Sequence, residues 1–234
     1  METISQIESA LVPVRNERFR MGSMTRTTMN KHQAKTKETR ELLLRAAQEV
    51  FVRDGYAGAE LGEIAALAGR TKGAIYAQFK SKEDIFMALV EEHALRYRSE
   101  MAKALAHTTS VEQNREAFRK FCMRLSSDKA WNLLMLEFKL FAIRNPEARK
   151  RYQNFIAKMI SPNDETRLRE LLGTEPKGKQ SIRRSLTVQM MQPLLSALTL
   201  ETVFDPETFS EDVSKRFTRR IFEVLMETSA EVSS

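Results

Sequence analysis

Between residues 70 and 82 the chain gathers side chains able to grip a nucleic acid. Thr71 and Tyr76 carry hydroxyls that can donate to phosphate oxygens, and Lys72 carries a charge that can reach a phosphate or a base edge. Gly73 and Ala74 let the backbone come close, and the Ala74 methyl could meet a thymine methyl. Gln78 adds a further hydrogen-bonding group on the same side. Lys82 is expected to hold a phosphate beside backbone N–H groups, without reading sequence. Arg70 has two readings, a phosphate contact through its guanidinium fork or a side chain pointing to solvent.

Two short helices must position this set. Leu61, Ile64, Ala65 and Ala68 recur at the spacing of one helix face. Gly69 then suits a left-handed residue after a helix end, and Thr71 suits an N-cap. Ile75 and Phe79, four apart, form the buried side of the second helix. So short a helix is marginal by itself and needs a neighbour to pack on. A supported helix with a cationic, hydrogen-bonding outer face across a glycine turn is the geometry of major-groove readers.

Other chemistry has little support. His32, His93 and His107 do not cluster, and on one helix His93 and His107 would stand roughly 21 Å apart. No metal-ligand spacing and no glycine-rich phosphate loop occurs, so neither an enzyme, a metal nor a cofactor is expected. Cys122 is the single cysteine, which excludes an internal disulfide and fits a reducing cytoplasm. It shares a face with Phe118, Phe121 and Leu125 and reads as a small buried hydrophobe rather than a redox thiol.

Net charge is +7, and it is uneven. Residues 1–82 hold 14 Lys and Arg against 9 Asp and Glu, while the rest holds 24 against 22. Basic charge concentrated beside the helix pair is the electrostatic footprint of a nucleic-acid binder. No run of 18 apolar residues and no signal-peptide core is present, so a cytoplasmic location is expected.

These residues carry a resemblance to the TetR family of transcription regulators. It rests on Ile64-Ala65, Ala68-Gly69, Thr71-Lys72-Gly73, Ile75-Tyr76, Phe79-Lys80-Ser81-Lys82 and Asp84-Ile85. Upstream, Ala46-Ala47, Val50-Phe51 and Gly55-Tyr56 match as well. The chain departs from the family at Ala59-Glu60, where a Ser or Thr usually caps a helix, and at Arg70, usually apolar. The resemblance implies a ligand-responsive regulator, in the usual case a repressor. It would bind a palindromic operator as a homodimer and be released by a small apolar or amphipathic effector. The alternative is a helical small-molecule-binding protein of this fold without DNA binding.

An all-α fold follows, with a three-helix helix-turn-helix DNA-binding head and a C-terminal helical ligand-binding and dimerisation domain. Residues 1–36 read as a basic, disordered arm, in which Met21, Met24 and Met29 could each be the start. Residues 37–82 form the head, 83–228 the helical domain and 229–234 a polar tail. A long helix opens at Ser81 and continues to about residue 107. The helix from Asp128 to Asn145 is apolar nearly all round and reads as buried. The last two helices are expected over about 181–200 and 206–228, joined by a short connection that makes them antiparallel neighbours. By family analogy Trp131, Met135, Phe138 and Phe141 wall a ligand pocket, with Glu137 and Gln189 orienting the ligand.

Overall fold

The structure, a computed structural model, describes residues 31–159, 164–174, 177 and 182–226. The described residues are helical throughout, with ten helices and no strand. They pack as two compact units that divide between Leu95 and Arg96.

In the first unit, helix α1 spans Lys31–Gly58 and turns sharply at Gly55, whose φ of 73° lies in the left-handed region. Residues 31–36, expected in the disordered arm, are thus helical; the rest of the arm and the 229–234 tail lie outside the described residues. The inner face of α1 carries Leu43, Ala47, Val50 and Phe51. Phe51 stacks on Tyr56 at 5.9 Å, and both meet the edge of Phe86 at about 5 Å. These rings bring α1 against α4, Lys82–Leu105, whose early residues Ile85, Phe86 and Leu89 are buried. The head therefore extends to Leu95 rather than ending at Lys82, because the first half of α4 completes its core. Helices α2, Leu61–Leu67, and α3, Lys72–Gln78, close the other side through Ile64, Ala65, Ile75 and Phe79.

Side-chain caps set several helix starts. Ser81 Oγ accepts from the Asp84 N–H at 3.1 Å, and the Asp84 carboxylate accepts from the Lys80 N–H at 2.8 Å. This reciprocal pair is a close variant of the capping box. Helix α2 has no such help, since the Glu60 side chain makes no cap bond.

The second unit continues with α5, Val111–Ser127, capped by Ser110, and α6, Lys129–Arg144, capped by Asp128. Helices α7, Pro146–Met159, and α8, Asp164–Leu172, follow. The final helices are α9, Arg184–Phe204, and α10, Glu211–Leu225. Their limits differ from the sequence-based expectation. The α9 helix runs past Leu200, and a turn follows in which the Asp205 carboxylate accepts from the Thr208 N–H at 3.0 Å. That turn displaces the start of α10 from Pro206 to Ser210, which caps it.

The core of this unit gathers Phe118 and Cys122 of α5, Leu172 of α8, Met191 of α9 and Phe222 of α10. Burial pushes the Cys122 thiol up to about 12, so it is protonated at neutral pH. Its burial, at 1% exposed, and the penalty on the thiolate, the reactive form, fit the reading as a small buried hydrophobe.

Arg184, at the start of α9, is 0% exposed. Its guanidinium donates to the carbonyls of Gly173 at 2.7 Å, Thr174 at 2.8 Å and Leu225 at 3.0 Å. Those carbonyls lie at the ends of α8 and α10, where backbone acceptors lack helical partners and partial negative charge collects. Glu165 of α8 accepts in turn from the Arg184 and Ser185 N–H groups and so caps α9. One arginine and one glutamate thereby pin three helices together.

Candidate nucleic-acid interface

The turn before α3 depends on Gly69, at φ 62°. Arg70 folds back there, its guanidinium donating to the Gly69 carbonyl at 3.1 Å. Thr71 Oγ1 accepts from the Ala74 N–H at 3.2 Å. That bond uses a lone pair, so the hydroxyl proton remains free to donate outward. Beneath, Phe79 is buried, with the Arg40 guanidinium 4.6 Å above its ring.

Thr71, Lys72, Gly73 and Tyr76 are exposed together on α3, and Tyr76 is 58% exposed. Ala74 and Gln78 are half-buried at the edges of this face. A side chain at Gly73 would meet nothing nearer than Thr71 Oγ1 at 3.7 Å, so packing does not demand glycine there.

Two relationships were not legible in the sequence. Lys72 lies across Gly62 of α2, and a Cβ at Gly62 would stand 2.7 Å from its Cε. Lys82 points inward. Its ammonium donates to the carbonyls of Ala57 at 2.8 Å and Ala59 at 3.2 Å and sits 5.2 Å from the centre of the Tyr56 ring. Burial lowers its pKa, partly offset by the charge of Glu60. The expected phosphate holder is therefore first a clamp on the carbonyls around the end of α1. Lys80, exposed two residues after α3, offers a further charge.

The expected ligand residues are arranged differently. Trp131, Met135 and Phe138 are buried core, with Phe138 5.8 Å from Tyr152 and 6.3 Å from Phe141. Glu137 is exposed, and Phe141 and Gln189 are half-buried. A cavity of about 180 Å³ does open in this unit, between α5, α6, α9 and α10, and none of those six residues lines it. The family resemblance implies a pocket wall here, whereas Trp131, Met135 and Phe138 are buried among protein neighbours. Among the described residues no cluster of His, Cys, Asp and Glu could hold a metal, and no helix is long and apolar enough to cross a membrane.

Two short helices joined through a left-handed glycine, the second one capped and turned outward, define a helix-turn-helix head. Residues 43–89 match the family described as bacterial regulatory proteins, tetR family. The chain carries the N-terminal domain of the TetR family. It is 45% identical over 62 residues to the HTH-type transcriptional repressor BepR of Brucella suis, covering 26% of this chain and 30% of that one. It is 40% identical over 80 residues to the HTH-type transcriptional activator FasR of Mycolicibacterium smegmatis, covering 34% and 36%. The chain thus spans about a third of the length of these relatives. In fold it is similar to the transcriptional regulator FadR of Bacillus subtilis, solved in complex with stearoyl-CoA. That likeness has a TM-score of 0.52 and 20% identity and covers 81% of this chain and 99% of the other.

Proposed function

We propose that the protein is a transcription regulator that binds a palindromic operator as a homodimer, and that it is a cytoplasmic repressor released by a small amphipathic effector. The observation that carries this reading is the outer face of α3, where Thr71, Lys72, Gly73 and Tyr76 stand exposed on a helix held by a side-chain cap. Phosphate contacts from such a face position a protein on DNA, and base-edge contacts specify the sequence.

Two-fold operators require two-fold proteins. Support for a dimer comes from α9 and α10, which leave Met190, Val203, Phe204, Phe217 and Val224 exposed, Phe204 by 77%. Isolated apolar residues on a surface are ordinary, but a set shared by two consecutive helices marks an interaction surface. The effector acts through α4, which continues from one unit into the next, and must favour one spacing of the paired heads.

The double variant Lys72→Ala/Tyr76→Ala tests this reading, since both side chains are exposed and the fold does not rest on them. It keeps its helicity and melting temperature and loses operator binding in a gel-shift assay. Operator binding equal to that of the parent would overturn the proposal.

A further inference from the structure

The cavity of about 180 Å³ has an unusual lining. Thr218 of α10 is 1% exposed, and its hydroxyl has no hydrogen-bond partner among the described residues. The Ser214 hydroxyl, one turn earlier, is also buried and unpartnered. Buried polar groups are rarely left unsatisfied, and each one asks for an explanation.

The opposite wall has already used its protons. Thr199 donates to the Leu195 carbonyl at 2.9 Å, and Thr202 donates to the Thr199 carbonyl at 2.7 Å. Among the lining hydroxyls, Ser214 and Thr218 are therefore the ones with protons still to give, and an acceptor in the cavity would satisfy both. Leu195 and Leu198 supply apolar surface beside them. Three charged residues stand at the rim. Glu211 is held by Lys215 at 2.7 Å and also lies in the field of Lys129, so two lysines face one carboxylate and the rim carries one excess positive charge. Donors inside, carbon surface alongside and a cation at the mouth define a site for a small organic anion. Its volume equals that of about six waters at ~30 Å³ each, below the usual range for drug-sized ligands.

We propose that this cavity binds a short-chain carboxylate of about three to five carbons, sized by that volume. Its oxygens accept from Ser214 and Thr218, its chain lies on Leu195 and Leu198, and Lys129 balances its charge. The site stands on the second unit alone; its role as the effector site rests on the regulator reading above.

Calorimetric titration of the full chain with butyrate, its neutral isostere butyramide and inorganic phosphate tests the site. Butyrate binds saturably, and butyramide and phosphate each bind at least about tenfold more weakly. Thr218→Val keeps the side-chain shape and removes the unpartnered hydroxyl, so the protein folds at least as stably. Butyrate affinity nevertheless falls about fivefold or more in that variant and in Lys129→Gln. No saturable butyrate binding, equal binding of butyramide or phosphate, or an unchanged affinity in Thr218→Val would overturn the proposal and leave a cavity filled by water only. Butyrate binding without any change in operator affinity would support the site and count against the effector reading alone.

Discussion

The Lys82 ammonium donates to the Ala57 carbonyl at 2.8 Å and to the Ala59 carbonyl at 3.2 Å. Helix α2 begins two residues after Ala59 without a side-chain cap. The clamp thus holds the segment that the missing cap leaves unsupported. Lysine side chains are suited to helix C-terminal ends, where carbonyls lack partners.

Lys82→Ala is expected to destabilise the protein by about 1 kcal/mol, because the carbonyls are near solvent and water replaces part of the loss. Operator and scrambled duplex lose affinity by similar factors, since the change loosens the head rather than removing a base contact. Denaturant unfolding and binding titrations check both points. A stability equal to the parent's, with a reduced salt slope, would make Lys82 a phosphate contact alone.

Gly62→Ala separates stability from recognition. The new methyl would stand 2.7 Å from Lys72 Cε, at the flexible end of a side chain that can move. Stability is expected to stay level or rise by about 0.5–1 kcal/mol from the better helix former. Lys72 is re-aimed, so preference at one position in each half-site changes by about 1–3 kcal/mol. A selection from randomised duplexes reads this, and an unchanged preferred sequence counts against Lys72 as a base reader.

Arg184→Met is expected to cost about 3 kcal/mol or more, since it strips a charged donor from three helix-end carbonyls. Thermal unfolding measures it. A loss below about 1 kcal/mol, the scale of an ordinary hydrogen bond, would mean that the guanidinium does not pin α8, α9 and α10.

Cys122 makes a pH prediction. Its thiol lies above its ordinary value of 9.0, at about 12, because burial penalises the charged thiolate. A raised folded value means that the contribution to stability is complete below about pH 9 and is lost as pH rises towards 12. Cys122→Ala removes this dependence, so the gap between the two stability–pH curves is constant below about pH 9 and changes only above it. At neutral pH the thiol reacts with a thiol reagent only as fast as the protein opens.

The head was legible because its signals are local. Thr71 and Ser81 cap α3 and α4 at their starts, and Gly55 and Gly69 take left-handed conformations at the turn within α1 and in the turn after α2. Tertiary direction was not legible. Nothing in the order of residues says that Lys82 turns towards Ala57 or that Lys72 crosses Gly62, since both depend on how helices pack. Arg184 could be found only in three dimensions, because its partners lie up to 41 residues away. Trp131 and Phe138 were apolar enough to line a pocket or to fill a core, and periodicity cannot distinguish those uses. The orphan hydroxyls of Ser214 and Thr218 carry no sequence signature, as Ser and Thr are common on helix surfaces.

The proposed function stands or falls on specific DNA recognition by α3. Equilibrium anisotropy titrations across a salt series, on a duplex taken from upstream of the protein's own gene and on its scrambled counterpart, test it most directly. Binding to the native duplex is expected to be at least about 10³-fold tighter, and on both duplexes the affinity is expected to fall with salt as phosphate contacts release counterions. Equal affinity for the two duplexes at every salt concentration, or no measurable binding to either, would contradict it.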